Sequence, residues 1–443
     1  MSRHTPRSRD ERTATPLSAD DARPLVDDPA LPGVHKVLSR AGLQDWLSDA
    51  LDQPCIVTPR RLRYKAGTSA VLGFDLTTVR DGVVVTEACL ARAYADHAAA
   101  KIEKLSEKVP ADACLARDDA LRAVVTTAAG DRALPLLPAL GRPDGAARLL
   151  DRLFPETSAP AQTRLHTVRH NPGRRWVGVL ERDDAKPLLL RAYGGREEVS
   201  HAATCYRALR HVTDVRTPRL VATARSLAVM AVRWVEGSEL TLTGAAPQWR
   251  AAGSTLARLH ESPRRDLPPR DVRAEAAALM RTAHQVAGLL PELSAAVLGT
   301  AATTARLLEQ VRGECATVHG DFSADQVVVR PDGRPVVIDL DAAHRGASAY
   351  DVGCLTASTL SLAEAAGSPW RGEHALADFF DGYDAVRRLP DRYAVGVHTV
   401  AFRIRKAVDP FRDCAPDWRE QVAARVAAAR AALDDVSVAG SRA

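Results

Sequence analysis

From Thr317 to Asp341 the chain reads T-V-H-G-D-F-S-A-D-Q-V-V-V-R-P-D-G-R-P-V-V-I-D-L-D, with acids and an amide at spacings that could do chemistry. Phosphoryl transfer asks little covalent work of a protein. It needs a carboxylate to orient and deprotonate an acceptor hydroxyl, and oxygen ligands to hold Mg2+ on the phosphates. A loop of the form His-x-Asp, an amide five residues on and a second Asp behind a short hairpin supply these groups. His319-Gly320-Asp321 fits the loop and Gln326 is the amide; Asp339 lies 18 residues beyond Asp321, after the apolar run Pro335 to Ile338. Arg330-Pro331-Asp332-Gly333 reads as the turn between Val327-Val328-Val329 and a strand from Pro335 to Leu340, which folds Asp339 back beside the loop it left. Asp341 either touches a second metal or caps the next turn, and His344 reads as a solvated loop histidine.

The segment resembles the aminoglycoside-phosphotransferase and choline-kinase-like branch of the protein-kinase fold, which uses His-Gly-Asp and then Ile-Asp-x-(Asp/Glu). Ala349-Tyr350-Asp351-Val352-Gly353 looks like that family's Asp-x-x-Tyr-Asp-Leu element, and Leu256-Ala257-Arg258-Leu259-His260 resembles its Leu-x-x-Leu-His helix. The resemblance covers roughly residues 165 to 410. It implies an α+β, bilobal fold with an antiparallel β N-lobe and a mostly helical C-lobe. It also implies ATP as donor, Asp321 with His319 as the catalytic pair, and Mg2+ on Asp339, Gln326 and Asp341. Asp351 would brace the loop. The usual Asn is Gln326 here: the neutral carbonyl is kept, but the side chain is one methylene longer, and Mg2+ demands near-ideal octahedral geometry. The alternative reading is therefore a weak or inactive kinase-like protein that binds nucleotide or metabolite.

An N-lobe must bring a hairpin over the phosphates, a cation on its third strand and an acid on the next helix. Asn171-Pro172-Gly173-Arg174 is the candidate hairpin, Arg191 the cation, Glu197 or Glu198 its partner, and the strand ending at Glu236 the hinge. The same order of elements occurs about a hundred residues earlier. Arg63 through Gly67 (RYKAG) answers Arg169 through Gly173 (RHNPG), and Leu90-Ala91-Arg92-Ala93-Tyr94 answers Leu189-Leu190-Arg191-Ala192-Tyr193. Two copies are too few for a solenoid. The second precedes the catalytic segment directly. The first has Asp96 and His97 where an acidic pair is wanted, and reads as a degenerate N-lobe-like cap.

The chain thus divides into a disordered arm (1–33), the cap (34–160), a nucleotide-binding N-lobe (161–238), a helical catalytic C-lobe (239–435) and a disordered tail (436–443). Within these, Val34 to Leu51 has the apolar spacing of one helix. Composition bounds the function. With 46% hydrophobic and 26% charged residues, 443 residues bury a sizeable core, and a net charge of +5 without a basic run argues against nucleic acid as partner. Seven scattered cysteines show no metal or disulfide spacing. No apolar run is long enough to span a bilayer and the polar N-terminus lacks a signal peptide's core, so a cytoplasmic protein acting on a small-molecule hydroxyl compound is expected.

Overall fold

The apolar stretch from Val34 to Leu51 forms two helices, α1 (Val34–Leu38) and α2 (Arg40–Leu51). Ser39 breaks them, taking extended geometry and capping α2 by accepting the Gly42 N–H. The structure, a computed structural model, describes residues 25–440 except 99, 107, 108, 110, 156–162, 184 and 263. Most of the expected arm and the last three residues lie outside that range.

After the helix pair come β1 (Ile56–Lys65), β2 (Ser69–Arg80), β3 (Val83–Tyr94), α3 (Ala100–Ser106), β4 (Cys114–Asp118) and β5 (Ala123–Thr127). They make a five-stranded sheet in the order β1-β2-β3-β5-β4. The arrangement then repeats. Helices α4 (Leu136–Leu140) and α5 (Gly145–Leu153) precede β6 (Thr163–Asn171), β7 (Arg175–Arg182), β8 (Ala185–Tyr193), α6 (Arg196–Leu209), β9 (Leu220–Ala224) and β10 (Val229–Arg233). The second sheet has the same order, β6-β7-β8-β10-β9. Leu136, Leu149 and Leu153 share one core with Trp176, Leu188 and Leu190, so α4 and α5 belong with the second sheet. Residues 136–153, expected within the cap, thus pack on the second sheet.

Each copy opens on the same short phrase, Asp28-Pro29-Ala30-Leu31-Pro32 and Asp131-Arg132-Ala133-Leu134-Pro135. The two aspartates also do the same work. Asp28 accepts the Gly67 N–H and the Tyr64 hydroxyl, both at 2.8 Å; Asp131 accepts the Gly173 N–H at 2.7 Å and lies 2.9 Å from His170 Nε2. Both glycines turn their hairpin tips in left-handed backbone, at φ 61° and 64°. Residues 25–33 were expected within a disordered arm. They carry the first of these clasps.

The described residues form two compact units. The first holds those up to Arg196 with Ala222–Ala231 and Arg412–Pro416; the second holds Glu197–Val221, Val232–Phe411 and the chain from Asp417 onward. The second unit is built of β11 (Ser238–Glu239), α7 (Ala246–Glu261), α8 (Val272–Leu289), α9 (Ser294–Gln310), β12 (Cys315–Val318), β13 (Val327–Val329), β14 (Pro335–Val337) and β15 (His344–Ala347). It closes with α10 (Ala349–Ala365), α11 (Pro369–Asp384), α12 (Arg392–Ala407), α13 (Asp409–Arg412) and α14 (Trp418–Gly440). Helix α14 runs past Asp434 into the expected tail. Strands β12 and β15 pair from Cys315↔Ala347 to Val318↔His344, which puts His344 on a strand rather than a free loop. β14 stops at Val337 instead of Leu340, because Asp339 is left-handed. The fold is a mixture of α-helices and antiparallel sheets. Among the described residues no helix is long and apolar enough to cross a membrane.

Candidate active site

Strand β12 ends at Val318, buried against Tyr350, Cys354 and Phe402, and the chain turns through His319-Gly320-Asp321. The turn requires glycine: Gly320 sits at φ 89°, and a methyl group there would lie 2.1 Å from the Ala342 carbonyl oxygen. Asp351, fully buried on α10, accepts the N–H groups of His319 (2.7 Å) and Gly320 (2.9 Å) and meets His260 Nε2 at 3.1 Å. His260 Nδ1 is in turn 2.7 Å from the Tyr383 hydroxyl. Burial pushes the Asp351 pKa up. The hydrogen bond and charge of His260, the charge of His319 and the His319 N–H outweigh it and hold the carboxyl below its ordinary value. An ionised, fully engaged carboxylate of this kind fixes the loop backbone.

His319 has no exposed surface. Its Nε2 donates to the Ile338 carbonyl at 2.8 Å, and its Nδ1 accepts the Asp321 N–H at 3.3 Å. With both ring nitrogens committed to backbone, no lone pair is left for a substrate. These bonds tie the ring to the backbone on both sides of the loop. Asp321 itself is exposed, with the Cys354 Sγ 3.8 Å from its Oδ1. Lys406, in the last turn of α12, completes this corner. Burial would lower its pKa, but Cys354, Asp321, Asp325 and Asp409 outweigh that and raise it. Sequence reasoning missed Lys406, since no spacing ties it to Asp321.

The metal-ligating candidates converge on one hairpin end. β13 and β14 pair from Val327↔Val337 to Val329↔Pro335, and the Ile338 N–H donates to the Gln326 carbonyl at 2.9 Å. Ile338, the residue before Asp339, is thus held through its N–H by the Gln326 backbone and through its carbonyl by His319. Asp339 is a non-glycine residue at φ 59°, a strained geometry of the kind that gathers at functional sites. Asp341 is half-buried on the turn Leu340–Ala342, where its charge helps to raise the Cys205 thiol pKa after burial. Gln326 and Asp339 would offer Mg2+ an amide and a carboxylate oxygen, the ion keeping waters and phosphate oxygens among its other ligands. Among the described residues no three His, Cys, Asp or Glu gather to hold a metal ion without such help.

The nucleotide candidates are spread over both units. Arg191 is buried on β8 opposite Val177. Glu197 and Glu198 are exposed in the first turn of α6, and Glu236 is exposed between β10 and β11. Asn171 is half-buried and Arg174 exposed. Gly173 gives its N–H to the Asp131 carboxylate.

In fold the chain is similar to an amicoumacin kinase in complex with AMP-PNP, Ca2+ and Ami, with TM-score 0.51 and 13% identity over 66% of this chain and 95% of that one. It is also similar to a choline kinase from Cryptosporidium parvum Iowa II, with TM-score 0.50 and 12% identity over 67% and 96%. No curated protein matches it in sequence. Residues 174–394, about half of the chain, match the phosphotransferase enzyme family, and this part of the chain belongs to that family.

Proposed function

We propose that the protein is an ATP-dependent phosphotransferase that moves the γ-phosphate to a hydroxyl of a small molecule: a sugar, aminosugar, aminoglycoside or related antibiotic. The observation that carries the reading is the convergence on Ile338. His319 holds the Ile338 carbonyl and the Gln326 backbone carbonyl accepts the Ile338 N–H, which supports a site where the Asp321 loop, residue 326 and Asp339 come to one hairpin end. Asp321 orients the acceptor hydroxyl and takes its proton. Being exposed, it is open to a substrate, while Asp351 and His319 keep its backbone still. Asp339 and Gln326, with Asp341 beside them, would hold Mg2+, which when bound neutralises charge on the transferring phosphoryl group. Lys406 adds fixed positive charge on the side of Asp321. Arg191 is assigned to phosphate oxygens, which its planar guanidinium can fork. Glu197 or Glu198 is assigned as its partner, and Glu236 to the segment that meets the base. Asn171 and Arg174 stay candidates at the hairpin. The AMP-PNP named in the amicoumacin kinase complex agrees with ATP as donor.

The test is ATP consumption against a panel of hydroxyl compounds. Wild type is expected to turn over with at least one, and Asp321→Asn to lose roughly 10²–10⁴-fold of that rate. Binding of MgATP without turnover by either protein would sink the enzyme reading and favour an inactive kinase-like binder, in which the longer Gln326 fails to seat the metal.

A further inference from the structure

We infer that the first copy, residues 28–127, is a brace that sets the β6–β7 hairpin, and through it Arg191, and that it holds no nucleotide itself. This rests on the kinase reading above. Register makes Arg92 the counterpart of Arg191: Arg92 pairs with Val71 as Arg191 pairs with Val177. Yet Arg92 is committed elsewhere. It donates to Thr126 Oγ1 at 2.8 Å and to the Gly130 carbonyl at 3.0 Å, both contacts buried. A guanidinium so engaged is not available to a phosphate.

What Arg92 holds is the backbone next to Asp131, the residue that clasps the second hairpin tip through Gly173 and His170. That tip also rests on the first sheet. A methyl group on Gly73 of β2 would lie 3.0 Å from Pro172 Cγ, and one on Gly173 would lie 2.7 Å from Arg63 Nη1. The first copy's own tip has no such cover. Ala66, the counterpart of Pro172, is exposed, and a methyl on Gly67 would meet nothing within 4 Å. From the clasped tip, Arg175 and Val177 run opposite Tyr193 and Arg191. Holding the tip therefore holds the register of the strand that faces Arg191. Asp131, Arg92 and Pro172 act as positioning residues, and none needs to touch nucleotide.

The matched pair Asp131→Ala and Asp28→Ala tests this, because each removes the same clasp from one copy. Amide exchange around residues 168–176 and around Gly67 reads the tips, and calorimetry with MgAMP-PNP reads binding. Asp131→Ala is expected to speed exchange at Gly173 and raise the Kd about tenfold, or 1.4 kcal/mol. Asp28→Ala is expected to free Gly67 and leave the Kd within about twofold. Asp131→Asn, whose amide oxygen can still accept the Gly173 N–H, falls between wild type and Asp131→Ala. Should Asp131→Ala not fold, Pro172→Ala gives the second tip the first copy's residue and is expected to shift both readouts the same way, less far. An unchanged Gly173 amide in Asp131→Ala, or equal Kd changes in the matched pair, overturns the brace. Wild type that binds no nucleotide overturns the kinase reading and the positioning role together; the tip exchange separates that outcome from a failed clasp.

Discussion

The two copies put an arginine on the same strand, in the same register, opposite a valine, and then use it differently. In the first, Arg92 is spent inside the fold on Thr126 and Gly130. In the second, Arg191 is buried on the strand that precedes α6. The shared parts, helix pair, strand order and aspartate clasp, build the scaffold. The copies differ in the cover over their hairpin tips and in the helix that comes after each third strand. A scaffold can thus be duplicated whole while the surroundings of its hairpin tip diverge.

The comparison can be pressed by substitution. Asp351→Ala should have the largest effect on stability, roughly 3–5 kcal/mol, since it leaves buried His260 and two loop N–H groups without their acceptor. Urea unfolding would measure it, and a loss under about 1 kcal/mol would contradict the brace assigned to that carboxylate. Arg92→Met should come second at roughly 3 kcal/mol, for two charged hydrogen bonds in a buried setting. Its contrast is Arg191→Met, for which the account places the loss in nucleotide binding; equal behaviour of the two variants would erase the distinction between copies.

Acid should separate the units next. Burial and then Arg270 push the His398 pKa from 6.5 down to about 3, so the folded second unit keeps this ring neutral. The unfolded chain takes up the proton below 6.5, and stability there declines as pH falls from about 6.5 towards 3. Asp28 and Asp131 have the opposite timing. Burial raises their pKa values, but Gly67, Tyr64 and Ala30 on one, and His170, Gly173 and Arg92 on the other, hold them below normal. Their stabilisation is complete above the ordinary carboxylate pKa and is lost only as pH falls through the lowered values. Amide exchange at pH 5 should therefore open the second unit before the first, and His398→Phe should lessen the difference. The smallest effect expected is that of Asp28→Asn on unfolding free energy, about 1 kcal/mol.

Much of this could be read in advance. His319, Gln326 and Asp339 lie close in sequence, so local spacing and a tight turn were enough to predict the hairpin on which their backbones meet around Ile338. The repeated hairpins were legible because a turn, a strand pattern and Arg-Ala-Tyr recur in order. The start of each copy was not: Asp28 and Asp131 act on glycines some forty residues away, and a five-residue phrase carries little weight without the contact it makes. Strands β12 and β15 are four residues each, too short to show alternation, so the pairing that places His344 stayed hidden. Lys406 reaches Asp321 only through the packing of α10 on α12, which leaves no periodic mark. The bonds that commit both nitrogens of His319 depend on Asp339 leaving the strand early, a backbone choice its residue type does not announce.

The central claim is that one copy alone holds nucleotide and serves the His319 to Asp341 segment. Its most direct test is calorimetric titration of wild type, Arg92→Met and Arg191→Met with MgAMP-PNP. The account expects one site per chain in wild type, the same site weakened only a few-fold in Arg92→Met, whose effect passes through Asp131, and binding weakened by roughly ten- to hundredfold in Arg191→Met. Two sites per chain, or a loss in Arg92→Met as deep as in Arg191→Met, would contradict it.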